Sequence, residues 1–369
     1  MLKYIFKRLL LIIPTLFGII LVNFAIIQAA PGGPVEQAIA KIQGSDQNFQ
    51  ERFTSGAKDF TNESSQNLSA SASSSGLKYR GGQGINKEVI EKIEKIYGFD
   101  KPVGERFVLM LKNFLTFNFE ESFFKDKNVI ELIIDKLPVS ISLGLWTTLL
   151  VYLISIPLGI KKAVRDGSNF DIASSFVIII GYAIPGFLFA ILLIVLFAGG
   201  SFLDVFPLRG LVSDNYEELS TFGKIKDYIW HMTLPVIAMV IGGFASLTML
   251  CKNSFMDEIS KQYVLTARAK GCAENQVLYG HVFRNALLIV IAGFPSAFIG
   301  ILFTGSFLIE IIFSLDGLGL LSFESIMSRD YPVIFGSLYI FTLLGLILNL
   351  IGDLVYVAVD PRIDFEAKR

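Results

Sequence analysis

Six stretches of the sequence contain no charged residue and are long enough to cross a bilayer as helices. A transmembrane helix needs about 20 mostly apolar residues to span roughly 30 Å of hydrocarbon. The first stretch runs from about Leu9 to Ala30, and the others lie between Lys136 and Lys161, Asp171 and Asp204, Asp227 and Lys252, Arg284 and Glu310, and Asp330 and Asp353. The 369 residues are 53% hydrophobic, with a mean hydropathy of +0.58, which is more apolar than a soluble core requires. The sequence therefore predicts an all-α membrane protein with six transmembrane helices.

The basic residues of the short loops predict the orientation. They concentrate before the first span, in the second–third and fourth–fifth loops, and at the C-terminus: Lys3, Lys7, Arg8, Lys161, Lys162, Arg165, Lys252, Lys261, Arg268, Lys270, Arg284, Arg362, Lys368 and Arg369. Because short loops rich in Lys and Arg stay in the cytoplasm, both termini are expected there. The first apolar run exceeds the ~7–15 residues of a cleaved signal peptide, so we expect residues 1–30 to be a retained helix; a cleaved signal is the alternative.

Residues 31–137 form a long polar excursion that is expected outside the membrane. Residues 31–34, Pro-Gly-Gly-Pro, end the first helix. The Ser- and Asn-rich stretch at about 61–84 has too few apolar residues to fold and is predicted to be a flexible insert. Asn86 is a candidate cap for a short helix that ends near Gly98. An aromatic patch from Phe107 to Phe124 is expected to pack against the membrane or a neighbouring span rather than bind a ligand. Residues 138–369 complete a five-helix core.

The basic segment between the fourth and fifth spans has the pattern of a helical hairpin. Four side chains recur at about helical spacing: Phe255, Ile259, Tyr263 and Ala267. Gly271 stands where a helix would end, and residues 273–283 resume a helical composition. Backbone outside a helix cannot face lipid, so this turn lies in water or among headgroups. Small residues around Arg268 and Lys270 permit close approach of a partner, whose carboxylates the two cations can reach. A solvated turn without a partner is the alternative.

The segment 252–286 resembles the coupling loop of ABC importer membrane subunits, in the form found in dipeptide and oligopeptide permeases. The residues that carry the resemblance are Tyr263, Thr266, Ala267, Arg268, Ala269, Lys270, Gly271, His281, Arg284, Asn285 and Ala286. Further matches follow in order at residues 31–35, 137–138, 156–159, 181–185, 313–319, 329–333, 349, 353 and 360–362. The long first loop and residues 206–211 look closest to the branch that imports oligopeptides and peptide antibiotics of the microcin C type. The resemblance implies a type I ABC importer permease fold in the bacterial inner membrane.

Some positions depart from the pattern of the wider importer family. Leu265 and Thr266 stand where that family has Glu and Ala, and Arg284 stands where it has Pro; the peptide branch departs in the same way. Ile289 replaces a proline that is usual in the branch, and residues 315–316 replace Trp-Pro in an external loop.

No catalytic or metal-binding motif is evident in the sequence. The phosphate-binding pattern G-x-x-x-x-G-K-[ST] does not occur, so we expect ATP and magnesium to be bound in partner subunits and no cofactor to be bound by this chain. His231 and His281 fall in loops on opposite faces, and no metal site is predicted. A net charge of −1 suggests no nucleic-acid partner. The two cysteines, Cys251 and Cys272, do not make a disulfide framework.

Glu310, Asp353, Tyr182 and Pro185 are candidates for a pathway or gate. Ionisable groups at membrane depth are costly, which favours a functional or water-lined position. For the two carboxylates, hydrated anchoring near an interface is an equal alternative. Proline at 185, 235 and 295 is expected to loosen or kink the third to fifth spans.

The resemblance implies the permease subunit of an ATP-driven peptide importer that works with a second homologous permease, two ATP-binding subunits and a periplasmic substrate-binding protein. Related substrates, namely dipeptides, glutathione or nickel chelates, are alternatives. From other classes, an ion-coupled secondary transporter would show mid-membrane carboxylates and an internal repeat, and an assembly protein would recruit no ATPase.

Overall fold

The computed structural model describes residues 2–29, 101–125, 127–198, 202–303 and 307–359. Its α-helices are α1 Leu2–Ala29, α2 Val103–Leu115, α3 Val129–Val164, α4 Asn169–Ala183, α5 Gly186–Phe197, α6 Thr221–Ile259, α7 Gln262–Ala269, α8 Glu274–Val277, α9 Phe283–Phe303, α10 Phe307–Ile312, α11 Leu318–Ser328 and α12 Tyr331–Val359. The predicted insert at 61–84, the helix predicted after Asn86, and the motifs at 31–35 and 360–362 lie outside the described residues.

Five of these helices are long and apolar enough to cross a membrane, and α4 with α5 supplies a sixth span if the two are taken together. The candidates are Tyr4–Gln28, Val129–Val164, Thr221–Ile259, Glu274–Gly300 and Tyr331–Ala358. Each overlaps one of the charge-free stretches of the sequence. Five of the six predicted spans are therefore single helices, and the third corresponds to the bent pair α4 and α5.

The break in the third span lies at Ile184 and Pro185, where α4 and α5 meet at an angle of 93°. A residue before proline is pushed out of the helical region, and Ile184 has the extended ψ of 118°. Pro235 and Pro295, by contrast, lie inside the continuous helices α6 and α9. Of the three prolines expected to loosen their spans, only Pro185 interrupts one.

The helix of the second span begins at Val129, earlier than the Leu137-Pro138 pair that the sequence analysis placed at its start. The Asn128 side chain accepts a hydrogen bond from the Ile130 amide at 3.1 Å and so satisfies one of the free amides of the first turn. With 36 residues, α3 is about 54 Å long, so it extends beyond the hydrocarbon layer.

One compact unit comprises Met1–Ile12, Ile133–Phe323 and Ile340–Arg369. Two hydrophobic clusters lie within the described part of this unit. The first joins α3, α5, α6 and α10 around Leu143, Ala190, Ala238 and Phe313, which are nearly or fully buried. The second, described with the site below, lies where α3, α6 and α9 meet the polar hairpin. Burial of these apolar side chains supplies the main favourable free energy of folding within the unit.

The backbones of α3 and α6 approach closely at Gly159. A Cβ atom added there would lie 2.7 Å from the Cβ of Cys251 and 2.9 Å from the Thr248 carbonyl oxygen. Membrane helices associate through small residues that allow such contact. The Ser155 hydroxyl donates to the Phe244 carbonyl at 3.1 Å and fixes the same pair of helices.

The second unit comprises Ile13–Leu132 and Glu324–Tyr339. In it the ring of Phe107 packs edge-on against Phe17 and Phe24 of α1, with centroids 5.8 and 5.3 Å apart. Phe114 and Phe119 contact Tyr339 of α12, each at 5.5 Å. The aromatic patch thus packs against neighbouring spans, as predicted.

A buried carboxylate joins two segments of the second unit. Asp330 accepts hydrogen bonds from the Ser122 hydroxyl at 2.5 Å and the Phe123 amide at 3.2 Å. Burial raises the pKa of Asp330 above its usual value.

Gly159→Ala is expected to destabilise the protein, because the new methyl group has no room between α3 and α6. Overpacking of this kind costs about 1–3 kcal/mol. The melting temperature of the purified protein in detergent will measure the effect. Gly242→Ala in α6 is the matched control, since nothing lies within 4 Å of its added Cβ. Equal melting temperatures for the two variants would contradict the close approach.

Candidate coupling site

The polar segment between α6 and α9 folds as a helical hairpin, made of α7, the turn at Gly271, α8 and a π-helical segment Leu278–Val282. The spacing of Phe255, Ile259, Tyr263 and Ala267 predicted one continuous helix before Gly271, and this prediction is wrong because the helix is interrupted. The run breaks between Ile259 and Gln262, where the Ser260 hydroxyl donates to the Asp257 carbonyl at 2.8 Å and Lys261 is extended with ψ 152°. Side-chain capping of this kind offers the backbone an alternative to helix.

Gly271 ends α7 in the manner predicted. Its φ is +83°, a conformation that glycine adopts without the steric penalty of a side chain. The Gly271 amide donates to the Arg268 carbonyl at 2.9 Å, and the Cys272 amide donates to the Ala267 carbonyl at 3.3 Å. These two bonds form a Schellman motif, which satisfies carbonyl groups at the helix end. The hairpin turn is therefore held by a glycine-specific backbone geometry.

One side of the hairpin is anchored on the membrane helices. Val264, Ala267, Val277 and Val282 are buried in a cluster with Ile160, Ala163, Cys251, Phe255, Ala286, Leu287 and Val290. Ala267 is one of the small residues expected to allow close approach of a partner, but it is only 7% exposed and packs inward instead. The hairpin is thus attached by apolar packing to the ends of α3, α6 and α9.

Two hydrogen bonds strengthen this attachment. The Ser254 hydroxyl of α6 donates to the Ala286 carbonyl of α9 at 2.6 Å. The Tyr263 hydroxyl donates to the carboxylate of Glu258 at 2.7 Å, which joins α7 to the end of α6. Burial, followed by this bond to Glu258, raises the pKa of Tyr263 above its usual value.

The other side of the hairpin is open to solvent and includes apolar side chains. Leu265 is 50% exposed and Tyr279 is 57% exposed. Five exposed residues define what we term the outer hairpin surface: Leu265, Thr266, Ala269, Lys270 and Tyr279. His281 and Arg284 are also exposed, and their role in docking stays a prediction. Exposed aromatic and aliphatic groups beside a cation are typical of interface cores.

Arg268 takes part in the hairpin itself. Its guanidinium group contacts the carboxylate of Glu274 with two nitrogens, at 3.0 and 3.1 Å. This two-point ion pair spans the Gly271 turn. The expected partner of Arg268 is a carboxylate of another subunit, whereas in the structure Arg268 contacts a carboxylate within the chain.

A group of charges, buried except for Asp166, lies at the start of the segment that leads to the hairpin. Lys252 of α6 contacts Asp171 at 2.7 Å and Asp166 at 2.8 Å. Lys162 of α3, whose side chain is fully buried, lies 2.9 Å from the other oxygen of Asp171. We term these four residues the lysine–aspartate network. Asp171 stands in the first turn of α4, so one carboxylate ties together α3, α4 and α6.

Other polar groups complete the surroundings of this network. The Lys162 ammonium also donates to the hydroxyls of Ser174 and Ser175, at 2.8 and 2.7 Å, and to the Asp171 carbonyl at 2.9 Å. The Gly167 amide donates to the Asp171 carboxylate at 3.2 Å. Buried charges are tolerated only when paired and hydrogen-bonded in this way. Lys162 and Lys252 contribute to the predicted orientation of the chain, but their pairing with Asp171 was not predicted. The available signal was the position of Asp171 at the edge of an apolar span.

The four pathway candidates lie in different places. Glu310 is fully buried and its carboxylate accepts a hydrogen bond from the Leu320 amide at 2.6 Å, which does not match the alternative of hydrated anchoring near an interface. Asp353 pairs with Arg8 at 2.9 Å and accepts from the Tyr4 hydroxyl at 2.8 Å. These contacts favour the anchoring alternative for Asp353. Tyr182 is 63% exposed, and Pro185 begins α5 at the break in the third span. A role of any of the four in a pathway stays a prediction.

Comparison with known proteins identifies the class. Residues 155–365 match the family described as the binding-protein-dependent transport system inner membrane component. The chain belongs to this family, and the type I ABC importer permease fold predicted from the sequence is confirmed.

Individual relatives place the chain more finely. It is 59% identical to the peptidoglycan transport system permease protein YejB of Agrobacterium fabrum and to the inner membrane ABC transporter permease protein YejB of Escherichia coli O157:H7, over 99% of each chain. It is 35% identical to the oligopeptide transport system permease protein AppB of Bacillus subtilis, over 99% of this chain and 100% of that one. The chain is thus a permease of the ABC peptide importer family.

Asp171→Asn is expected to destabilise the protein strongly, because two buried lysines lose their shared carboxylate. Removing one partner of a buried ion pair costs about 3–5 kcal/mol. The melting temperature in detergent will report the loss. Glu217→Gln is the matched control, since Glu217 pairs with Lys224 at the surface and its side chain is 87% exposed; surface pairs contribute little. A variant at position 171 as stable as this control would show that the network does not hold the helices together.

Proposed function

We propose that this chain is the membrane subunit of an ATP-driven importer and moves peptides across the bacterial inner membrane, with ATP and magnesium bound by partner subunits. The observation that carries the proposal is the hairpin, which is anchored by apolar packing on one side and exposes Leu265, Lys270 and Tyr279 on the other. A partner docked on the outer hairpin surface would move the ends of α3, α6 and α9 with it. The relatives that support this reading are all named as permease proteins.

The remaining components are a second homologous permease, two ATP-binding subunits docked on hairpins of this kind, and a periplasmic substrate-binding protein. The family description, which names binding-protein-dependent transport, supports the last of these. Nucleotide bound to the ATP-binding subunits drives transport only if it favours one arrangement of the spans over the other, because a ligand shifts an equilibrium by its differential affinity. The hairpins are the proposed route by which that preference reaches the membrane helices.

Both termini and the hairpin are proposed to be cytoplasmic. The Lys and Arg residues of the short loops support this orientation, since they gather at the hairpin, at the 161–165 segment and before the first span. Residues 31–137 then lie outside, where long loops translocate largely regardless of their charge.

Oligopeptides, including peptide conjugates of the microcin type, are the proposed substrates. The name of the AppB relative, an oligopeptide permease, supports this class. The name of the Agrobacterium relative favours a second candidate, peptide-containing fragments of peptidoglycan. Uptake assays of the reconstituted transporter with a free tripeptide and with a muramyl tripeptide will separate the two.

An ion-coupled transporter receives less support from the described residues. Such a transporter needs carboxylates at mid-membrane that bind and release ions. The Glu310 carboxylate accepts from the backbone of the first turn of α11, and Asp353 is paired with Arg8 and Tyr4. Because both carboxylates already have partners within the chain, the docking hairpin is the better-supported means of energy coupling.

Gly271→Val is expected to abolish peptide uptake while leaving membrane insertion intact. A β-branched residue is strained at φ +83°, so the Schellman turn and the outer hairpin surface will be displaced. Uptake of a radiolabelled tripeptide by cells, with immunoblotting of membranes for insertion, will measure both effects. Gly104→Val in α2 serves as the control, because nothing lies within 4 Å of its added Cβ. Uptake at the normal rate in the first variant would show that the hairpin is not the coupling element.

Cysteine substitution will test the orientation and the docking partner together. In a Cys251→Ala/Cys272→Ala background, we expect Lys270→Cys to be protected from a membrane-impermeant maleimide in spheroplasts and Arg209→Cys to be labelled, because Arg209 lies in an opposite loop. After membrane disruption, Lys270→Cys should form cross-links to an ATP-binding subunit, and Arg209→Cys should not. Labelling of position 270 from outside would reverse the proposed topology. Failure to capture an ATP-binding subunit would contradict docking.

A further inference from the structure

Helix α2 lies against the membrane span α1 and is held there by aromatic side chains. The ring of Phe107 contacts Phe17 and Phe24, with centroids 5.8 and 5.3 Å apart. Two turns later, Phe114 is buried and packs edge-on against Phe119 at 5.0 Å. Phe107 and Phe114 therefore fix which face of α2 points into the protein.

The contacts with α1 also set the depth of α2. The candidate membrane span of α1 runs from Tyr4 to Gln28. At a rise of about 1.5 Å per residue, Phe24 lies about 6 Å and Phe17 about 16 Å from the end of this span. Helices that lie in the plane of a membrane surface bury their apolar side about 5–10 Å into the boundary between headgroups and acyl chains. Phe107 thus meets α1 at the depth that is usual for an interfacial helix.

The exposed face of α2 combines apolar and charged side chains. Val108 and Leu115 are 62% and 60% exposed. Lys101, Glu105, Val108 and Lys112 recur at intervals of four, three and four residues, which is the spacing of one helix face. These four residues line a shallow groove of about 340 Å³, and we term them the α2 stripe.

The apolar part of this face continues the lipid-facing surface of α1. Phe17 and Leu21 of α1 are about half exposed, and in a bilayer such side chains of a membrane span contact acyl chains. Phe17 also touches Phe107, so the lipid-facing surface passes directly from α1 to α2. Exposed apolar side chains rimmed by polar ones are typical of membrane-interaction sites. Lipid that covers α1 therefore reaches the exposed face of α2.

The lysines at the two ends of the α2 stripe suit the headgroup layer. Within the described residues, neither Lys101 nor Lys112 is paired with a carboxylate, and Glu105 is the single acidic residue that lines the groove. A lysine can lay its methylene groups on apolar surface while its ammonium group reaches a phosphate. Cations beside a membrane surface favour anionic lipids. Because the α2 stripe carries two lysines and one glutamate, it favours anionic over zwitterionic headgroups.

We propose that α2 lies in the headgroup layer at the end of α1 and binds an anionic phospholipid of the phosphatidylglycerol type. The phosphate group contacts Lys101 or Lys112, and an acyl chain lies against Val108 and Leu115. This proposal goes beyond the proposed function, because it concerns the membrane around the chain and does not require that peptides are transported.

Fluorescence quenching will test the depth of α2 in the whole transporter, in nanodiscs whose lipids carry bromine on their acyl chains. In a transporter freed of cysteine, with Cys251→Ala/Cys272→Ala in this chain, a bimane label is attached at Val108→Cys. We expect quenching close to that of the same label at Val22→Cys, an exposed position of α1. A label at Glu217→Cys should not be quenched, because that side chain is 87% exposed in a polar segment.

A photoactivatable phosphatidylglycerol will test the lipid preference, in nanodiscs made otherwise of phosphatidylcholine. We expect adducts on α2. Excess unlabelled phosphatidylglycerol should suppress them, whereas inorganic phosphate should not. Lys101→Gln/Lys112→Gln should lower the labelling of α2 about tenfold, because both cations near the anionic surface are lost. Lys224→Gln/Lys226→Gln is the matched control, since it removes the same charge from the start of α6 and should leave the labelling of α2 unchanged.

Either measurement can overturn the proposal. An unquenched label at position 108 would show that water or another subunit covers this face of α2. Equal labelling of α2 in the two lysine variants, or suppression by inorganic phosphate, would show that the α2 stripe is not a site for anionic lipid. Neither readout depends on peptide uptake, so a failure here is distinct from a failure of the proposed function.

Discussion

Lipid allows the backbone to leave a helix only where other protein groups or water satisfy its free amides and carbonyls. At two departures of the described chain from regular helix this condition is met within the chain. At Gly271 the Schellman bonds satisfy the end of α7. After α10, the Glu310 carbonyl accepts from the Leu315 amide at 2.7 Å, and the Glu310 carboxylate accepts from the Leu320 amide. At the third departure, Pro185, no side chain caps α5, and the first residues of this helix line a cavity.

The hairpin and the lysine–aspartate network together hold the ends of several membrane helices in fixed contact. Apolar packing holds the hairpin to α3, α6 and α9, and Asp171 holds α4 to α3 and α6 through two lysines. Packed side chains and buried ion pairs resist gradual deformation, because each has one favourable arrangement. Motion imposed on the outer hairpin surface is thus expected to move several helices together.

Sequence reasoning succeeded where the signal is local. The charge-free stretches predicted where the spans lie, and Gly271 predicted where the hairpin turns. Both predictions are reliable because the length of an apolar run and a positive φ each depend on few neighbouring residues. It failed where contacts across the chain decide the outcome. The break after Ile259 depends on a cap from Ser260, Ala267 faces inward because α6 and α9 cover it, and Arg268 meets Glu274 across the turn.

By itself, the sequence determined that this is a helical membrane protein, where its spans lie and which segment forms the hairpin of the permease family. Hydropathy, charge and glycine placement carry that information because each acts over one helix or one turn. Only the tertiary structure decided which charges are paired and which apolar side chains anchor the hairpin. Asp171 and Lys252, or Ile160 and Val264, are far apart in the sequence, and helix packing brings them to the same place.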